Sequence, residues 1–129
     1  SLESSMNKYA EAALMVVTDC SGKDSPDIRS AWGNAINTLS VYDEGCPKVA
    51  FIGLCSEGMV KGIPANSYGL KRGAKNKRYA VDAAKLLLSG HDMDIPSLWE
   101  KVTDKKIVHH GQINIVIRLY QAELLQFPE

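Results

Sequence analysis

Residues 45–58 read GCPKVAFIGLCSEG, and this stretch decides the fold that the sequence predicts. Pro47 suits the first position of a helix, because proline has no backbone N–H to lose there and its fixed φ is helical. Cys46 then takes the cap position, and the apolar residues that follow are dense enough for a buried helix. Gly58 supplies the left-handed residue that commonly ends a helix. The stretch therefore predicts a buried helix from Pro47 to the residue before Gly58.

Further helices are predicted on both sides of this stretch. Apolar residues recur at three- and four-residue spacing in four other segments: residues 5–19, a segment after 25–27, residues 76–89 and residues 96–102. Ser25-Pro26-Asp27 indicates a helix start, with a capping hydroxyl, a proline at the first helical position and an acid in the first turn. Residues 61–73 contain three glycines and a proline and predict a loop.

The last segment, residues 112–126, fits two structures. Its isoleucines alternate with other residues as in a strand, and β-branched residues are dense. The same segment also places apolar residues on one helical face, and fifteen residues is long for a strand. We favour a helix. The alternative is a β-hairpin that pairs residues 106–109 with residues 113–118.

The predicted fold class is all-α, with five to six short helices packed around a single core in one domain over residues 6–129; the alternative is α+β with the C-terminal hairpin. A chain of 129 residues is long enough to bury such a core without a metal or a disulfide. Residues 1–5, Ser-Leu-Glu-Ser-Ser, precede the first methionine and are interpreted as a cloning remnant. The predicted core consists of Met6, Leu14, Trp32, Ile36, Phe51, Ile52, Leu87, Trp99, Val116 and Tyr120.

Charge is distributed unevenly along the chain. The formal net charge is zero, with 15 basic and 15 acidic residues. Residues 61–85, however, hold seven basic residues against the single acidic residue Asp82, and both flanking segments are acidic. Such asymmetry attracts polyanions locally.

The basic segment predicts a binding function. Its cations are Lys71, Arg72, Lys75, Lys77 and Arg78, with Tyr68 and Tyr79 available for stacking. These side chains could neutralise several phosphates or contact carboxylates. The helix before the loop lacks the Arg, Asn and Gln residues that read base edges. We therefore expect a non-enzymatic helical binding module that contacts a polyanion, such as nucleic acid, or an acidic protein surface.

Cys46 supports an alternative function. A thiol at a helix N-terminus is favoured as the thiolate by the backbone N–H groups and the helix dipole, and Lys48 is nearby. The alternative is therefore a small cysteine-dependent enzyme or redox protein that uses Cys46. The ordinary interpretation is that Cys46 is a small residue packed under the turn.

Other chemistry is not predicted. Three cysteines without a C-x-x-C pattern favour free thiols and a cytoplasmic location. No apolar run approaches the length of a membrane span, and no glycine fingerprint of a cofactor site occurs. His109 and His110 match no metal-ligand spacing, so we expect no metal and no cofactor. A small helical protein can also self-associate, but nothing in the sequence locates an interface.

The chain resembles a small bacterial family of unknown function. The resemblance rests on Gly45-Cys46-Pro47-Lys48, Ala50-Phe51, Gly53-Leu54-Cys55, Gly58 and Val60-Lys61-Gly62-Ile63, together with Asn76-Lys77, Tyr79-Ala80 and the segment of residues 112–119. It implies a short, mostly helical protein of a kind carried on mobile gene cassettes, and it implies no activity. The sequence departs from the family where Ala122-Glu123 stands in place of an expected helix-ending glycine.

Overall fold

The computed structural model describes residues 2–104 and 106–128, and these residues form six α-helices. The helices are α1 (Leu2–Cys20), α2 (Ile28–Leu39), α3 (Gly45–Ser56), α4 (Lys75–Leu88), α5 (Ile95–Val102) and α6 (Gln112–Gln121). No strand occurs in the described residues, where one isolated bridge joins Val60 to Leu125. The all-α prediction is confirmed. The C-terminal hairpin is wrong, because its second strand would have to come from residues that form α6.

Aspartates are the N-caps of α2 and α5, and at α2 Asp27 takes the place of the predicted hydroxyl cap. The Asp27 carboxylate accepts the N–H of Ser30 at 3.1 Å, and Asp94 accepts the N–H of Ser97 at 2.9 Å. Each bond satisfies an N–H that has no partner within its helix. Pro26 therefore lies before α2 and not at its first position, which corrects the expected start.

α3 begins two residues earlier than predicted. Glu44 is the N-cap, so Cys46 is the second helical residue and not the cap. Pro47 falls at the third position, where its missing N–H still costs no helical hydrogen bond. The predicted end is confirmed, since Gly58 has φ of +69°.

Most of the predicted core is confirmed. Seven of its side chains are buried: Trp32, Ile36, Phe51, Ile52, Leu87, Trp99 and Val116. Trp32 and Phe51 stack with ring centroids 5.5 Å apart. Met6 and Leu14 are only half-buried, because the centre of the α1 stripe runs through Ala12 and Val16. Tyr120 is 41% exposed, because Leu119 takes the inward position next to it.

α3 and α4 approach each other closely at Gly53. A Cβ atom placed on Gly53 would lie 2.6 Å from the Cβ and Cγ atoms of Lys77 and 2.8 Å from its Cα atom. Only glycine leaves room for the α4 backbone there. The contact fixes the distance between the C-terminal half of α3 and the start of α4.

Hydrogen bonds hold the start of α4 and the beginning of the loop that joins α3 to α4. The side chain of Gln112, the first residue of α6, donates to the Asn76 Oδ1 atom at 2.9 Å. The carbonyl of Leu124 accepts the N–H of Lys61 at 2.8 Å, and the carbonyl of Met59 accepts the N–H of Gln126 at 2.9 Å. The C-terminal segment therefore anchors the loop where it leaves α3.

The end of α6 shows the effect of the missing glycine. Glu123 takes φ of +58°, a left-handed conformation that glycine adopts without steric cost. The Glu123 N–H donates to the Tyr120 carbonyl at 3.0 Å, and the Leu124 N–H donates to the Leu119 carbonyl at 2.9 Å. The end of α6 therefore has the left-handed conformation typical of a helix-ending glycine, but the residue that adopts it, Glu123, is strained there.

The N-terminal helix includes most of residues 1–5. α1 begins at Leu2, and Ser1 lies outside the described residues. The interpretation of residues 1–5 as a cloning remnant stays a prediction. No helix in the described part of the chain is both long enough and apolar enough to cross a membrane.

Candidate functional site

The structure brings all five predicted basic residues to one cavity. This cavity, the basic groove, measures about 670 Å³ and lies between the end of α3, the loop of residues 67–74 and the first two turns of α4. Its cations are Lys71, Arg72, Lys75, Lys77 and Arg78. Its other lining side chains include Ser56, Glu57, Ser67, Leu70, Val81 and Asp82. Cations from a loop and from a helix thus face one concave surface.

Local contacts order the loop that carries Lys71 and Arg72. Tyr68 has a left-handed φ of +48°, and its hydroxyl donates to the Pro64 carbonyl. The Tyr68 carbonyl in turn accepts a 2.7 Å hydrogen bond from Nε of Arg29 on α2. The loop is therefore tied to the helical core shortly before the two cations, which limits the backbone entropy that the loop loses when a ligand binds.

One cation of the basic groove has an internal partner. The Lys77 ammonium lies 3.2 Å from the Glu57 carboxylate. Among the described residues, no ion pair involves Lys71, Arg72, Lys75 or Arg78. The Arg78 guanidinium lies 5.4 Å from the centre of the adjacent Tyr79 ring. Most of the positive charge therefore faces solvent without an ion-pair partner among the described residues.

The start of α4 adds to the positive potential of the basic groove. The N-cap is Ala74, which has no side-chain oxygen to accept an N–H of the first turn. The positive end of the helix dipole therefore points toward the same surface as Lys71 and Arg72. An anion there would meet both the dipole and the side-chain cations.

Aromatic stacking is not available as predicted. Tyr79 is only 4% exposed and packs edge-on against Trp99, with ring centroids 5.3 Å apart. Tyr68 is half-buried, with its hydroxyl used in the loop. The expectation that Tyr79 can stack on a base is wrong, because its helical position points into the core and not toward the groove.

Cys46 lies at the opposite end of α3. The basic groove meets α3 at Ser56, ten residues later, which corresponds to about 15 Å at 1.5 Å per residue. Cys46 is half-buried, and the ammonium of Lys48, two residues later in the chain, lies 3.6 Å from the Asp43 carboxylate. A reactive Cys46 therefore stays a separate prediction. The rate of thiol alkylation against pH tests it.

His109 has a role that sequence reasoning missed. Its Nε2 atom accepts the N–H of Ile113 at 2.9 Å, so the ring caps α6. The ring also packs edge-on against Trp99 at 4.9 Å. Burial, and secondly the proximity of His110, lowers the pKa of His109 to about 4. The position of His109 just before the predicted last helix was the available signal for a cap, but histidine is not a usual cap residue.

Sequence reasoning also missed the acidic and apolar members of the basic groove. Glu57 and Asp82 bring carboxylates into it, and Leu70 and Val81 form an apolar floor. The i,i+4 spacing of Arg78 and Asp82 on α4 could have indicated that these two side chains share a face. Glu57 and Leu70 could not be placed there without the packing of α3 against α4.

The fold and the basic groove together define a small helical protein with a concave cationic surface. The chain belongs to a family of unknown function, DUF6979, whose pattern matches residues 6–126. The predicted resemblance to an uncharacterised family is therefore confirmed. No curated protein and no solved structure matches the chain significantly.

Proposed function

We propose that the protein is a non-enzymatic binding module that holds a polyanionic partner in the basic groove. The observation that carries the proposal is the convergence of five cations on one cavity, four of them without an ion pair in the described residues. A concave surface lets several cations contact one ligand at once, and the groove has the volume of an ordinary binding site. The uncapped start of α4 adds a fixed positive potential.

The proposed module works in the cytoplasm. All three cysteines are free thiols, which suits a reducing compartment. Binding there depends on local charge and not on long-range attraction, because the whole chain carries no net charge.

Titration with polyanions at two salt concentrations tests the proposal. The probes are a duplex oligonucleotide, a single-stranded oligonucleotide and polyglutamate. We expect binding at low salt that weakens as salt rises, because each contact with an anion releases counterions. No binding of any probe at low salt would exclude the proposed function.

A charge variant locates the binding surface. The triple variant Lys71→Ala, Arg72→Ala and Lys75→Ala removes exposed cations that make no ion pair among the described residues. For the oligonucleotides, the slope of log affinity against log salt should fall by about three, one for each lost phosphate contact. The control variant Lys8→Ala, Lys23→Ala and Lys106→Ala has the same net charge, and it should bind almost as the natural chain does. Equal losses in both variants would place the interaction elsewhere.

A further inference from the structure

The basic groove continues along α4 beyond Arg78. A second depression of about 380 Å³ shares Arg78 and Asp82 with the basic groove, so the two form one continuous surface. The second depression adds Lys85 from α4 and Lys101 from α5. Both of these lysines are exposed. The cationic surface is therefore longer than the predicted site.

The surface runs along one face of α4. Lys75, Arg78, Asp82, Lys85 and Ser89 follow each other at three- and four-residue spacing, which places them on one side of the helix. From residue 75 to residue 89 this face extends for about 21 Å at 1.5 Å per residue. The combined surface, here named the α4 track, suits a linear ligand better than a compact one.

Apolar side chains line the α4 track between its charges. Leu70 and Val81 lie in its first part, and Leu86 and Val102 lie in its second part. Leu70 and Leu86 are half-buried, so each still offers part of its side chain to a ligand. Nucleic acid offers apolar surface mainly as base faces, which proteins bind by stacking on aromatic rings and not on aliphatic side chains such as these. A polypeptide with apolar side chains between acidic ones does have them.

Two further features disfavour nucleic acid on the α4 track. Carboxylates of Glu57, Asp82 and Asp104 are interspersed with the cations and would repel a continuous row of phosphates. Among the described lining residues there is no aromatic ring on which a base could stack. A polypeptide instead can place an acidic side chain at each cation and avoid the three carboxylates.

We propose that the α4 track binds a linear acidic segment of a partner protein in which apolar side chains alternate with carboxylates. This proposal rests on the proposed function and specifies its partner. The carboxylates of the segment pair with the track's lysines and arginines, and its apolar side chains cover Leu70 and Leu86. Recognition thus combines a salt-sensitive electrostatic contribution with an apolar contribution that salt does not screen.

Three probes of matched length and charge test the proposal. They are a peptide that alternates Glu with Leu, a peptide that alternates Glu with Gln, and an oligothymidylate. The Glu-Leu peptide should bind at least about tenfold more tightly than either other probe, a difference that partial burial of one or two leucine side chains supplies. It should also keep more of its affinity at high salt.

The outcomes separate this proposal from the proposed function. Equal affinity for the two peptides would overturn the apolar contribution. An oligothymidylate that binds as tightly as the Glu-Leu peptide would overturn the preference for a polypeptide partner. In both cases the proposed function would stand. Failure of all three probes to bind at low salt would overturn both.

Variants of the track give an independent check. The double variant Leu70→Ser and Leu86→Ser should reduce the affinity of the Glu-Leu peptide to that of the Glu-Gln peptide and leave the latter unchanged. Leu14→Ser, a matched change of a half-buried leucine on α1, should leave both affinities unchanged. If the double variant does not fold, Lys85→Ala with Lys101→Ala changes only exposed residues and should weaken both peptides. Unchanged binding in that variant would limit the site to the basic groove and overturn the extended track.

Discussion

α4 and α5 begin in opposite ways. At the start of α5 the Asp94 carboxylate accepts the N–H of Ser97, and hydrogen bonds from Ser97 hold the pKa of Asp94 below its usual value. At the start of α4 stands Ala74, surrounded by the cations of the basic groove, which oppose the helix dipole. α5 therefore has a locally stabilised start, whereas the sequence around α4 works against helix formation.

The difference shows where the stability of α4 comes from. The helix is held by its close contact with α3 at Gly53 and by the hydrogen bond from Gln112 to Asn76. Helices in proteins depend more on packing than on local preference, so an unfavourable start can persist. Local rules are commonly broken where a protein binds a partner. The unfavourable start of α4 lies in the basic groove and so agrees with the proposed function.

Breaking the packing of α4 should have the largest effect. Gly53→Ala places a methyl group 2.8 Å from the Lys77 Cα atom, so α3 and α4 must move apart. We expect the free energy of unfolding to fall by about 1–3 kcal/mol. Gly33→Ala is the matched control, because open space surrounds Gly33 in α2, and it should stabilise the protein by about 0.5–1 kcal/mol. Chemical denaturation measures both; a Gly53→Ala variant as stable as the natural chain would show that α4 does not depend on this contact.

α6 begins with a third kind of cap, and this cap should make stability depend on pH. The pKa of His109 is about 4 in the folded chain and about 6.5 in the unfolded chain. Between these values the unfolded state binds a proton that the folded state does not, so stability should fall as pH falls from about 6.5 to about 4 and stay level above that range.

Substitution of this histidine should flatten the pH profile. His109→Asn removes the ring that titrates, so the thermal midpoint should vary less between pH 4 and pH 6.5. His110→Asn serves as the comparison and should retain most of the slope. A slope that persists in His109→Asn would assign the pH dependence to other groups.

Giving α4 the kind of cap that α5 has should trade binding for stability. In Ala74→Asp the new carboxylate can accept an N–H of the first turn, which should stabilise the protein by about 1 kcal/mol. The same carboxylate adds negative charge to the basic groove, so polyanions should bind more weakly. Ala74→Ser supplies a cap without charge and separates the two effects. If Ala74→Asp raised stability and left the affinity unchanged, the start of α4 would not belong to the binding site.

The smallest effect is expected at the end of α6. Glu123→Gly removes the strain of a left-handed residue and should stabilise the protein by roughly 0.5–1 kcal/mol. Glu123→Ala removes the same charge but keeps the strain, so it should not stabilise. Comparison of the thermal midpoints of the two variants distinguishes the effect of conformational strain from the effect of the lost charge.

Much of the fold could be predicted because helices are encoded locally. Apolar spacing placed the helices, and Gly58 marked the end of α3. Errors fell at helix starts, where Asp27 caps α2 and Glu44 precedes α3, because several neighbouring residues can serve as caps. Of the site, only the set of cations could be predicted, because charge can be read directly from the sequence whereas the shape of the groove cannot.

The sequence by itself determined the all-α class, the helical segments and the concentration of positive charge between residues 61 and 85, because periodicity and charge are local properties. Only the tertiary structure decided that these cations form a groove with Glu57 and Leu70, and that Tyr79 is withdrawn from it. The groove depends on the closeness of α3 to α4 at Gly53, and the withdrawal of Tyr79 depends on its packing against Trp99 of α5. Both are contacts between residues distant in the chain, which no local pattern encodes.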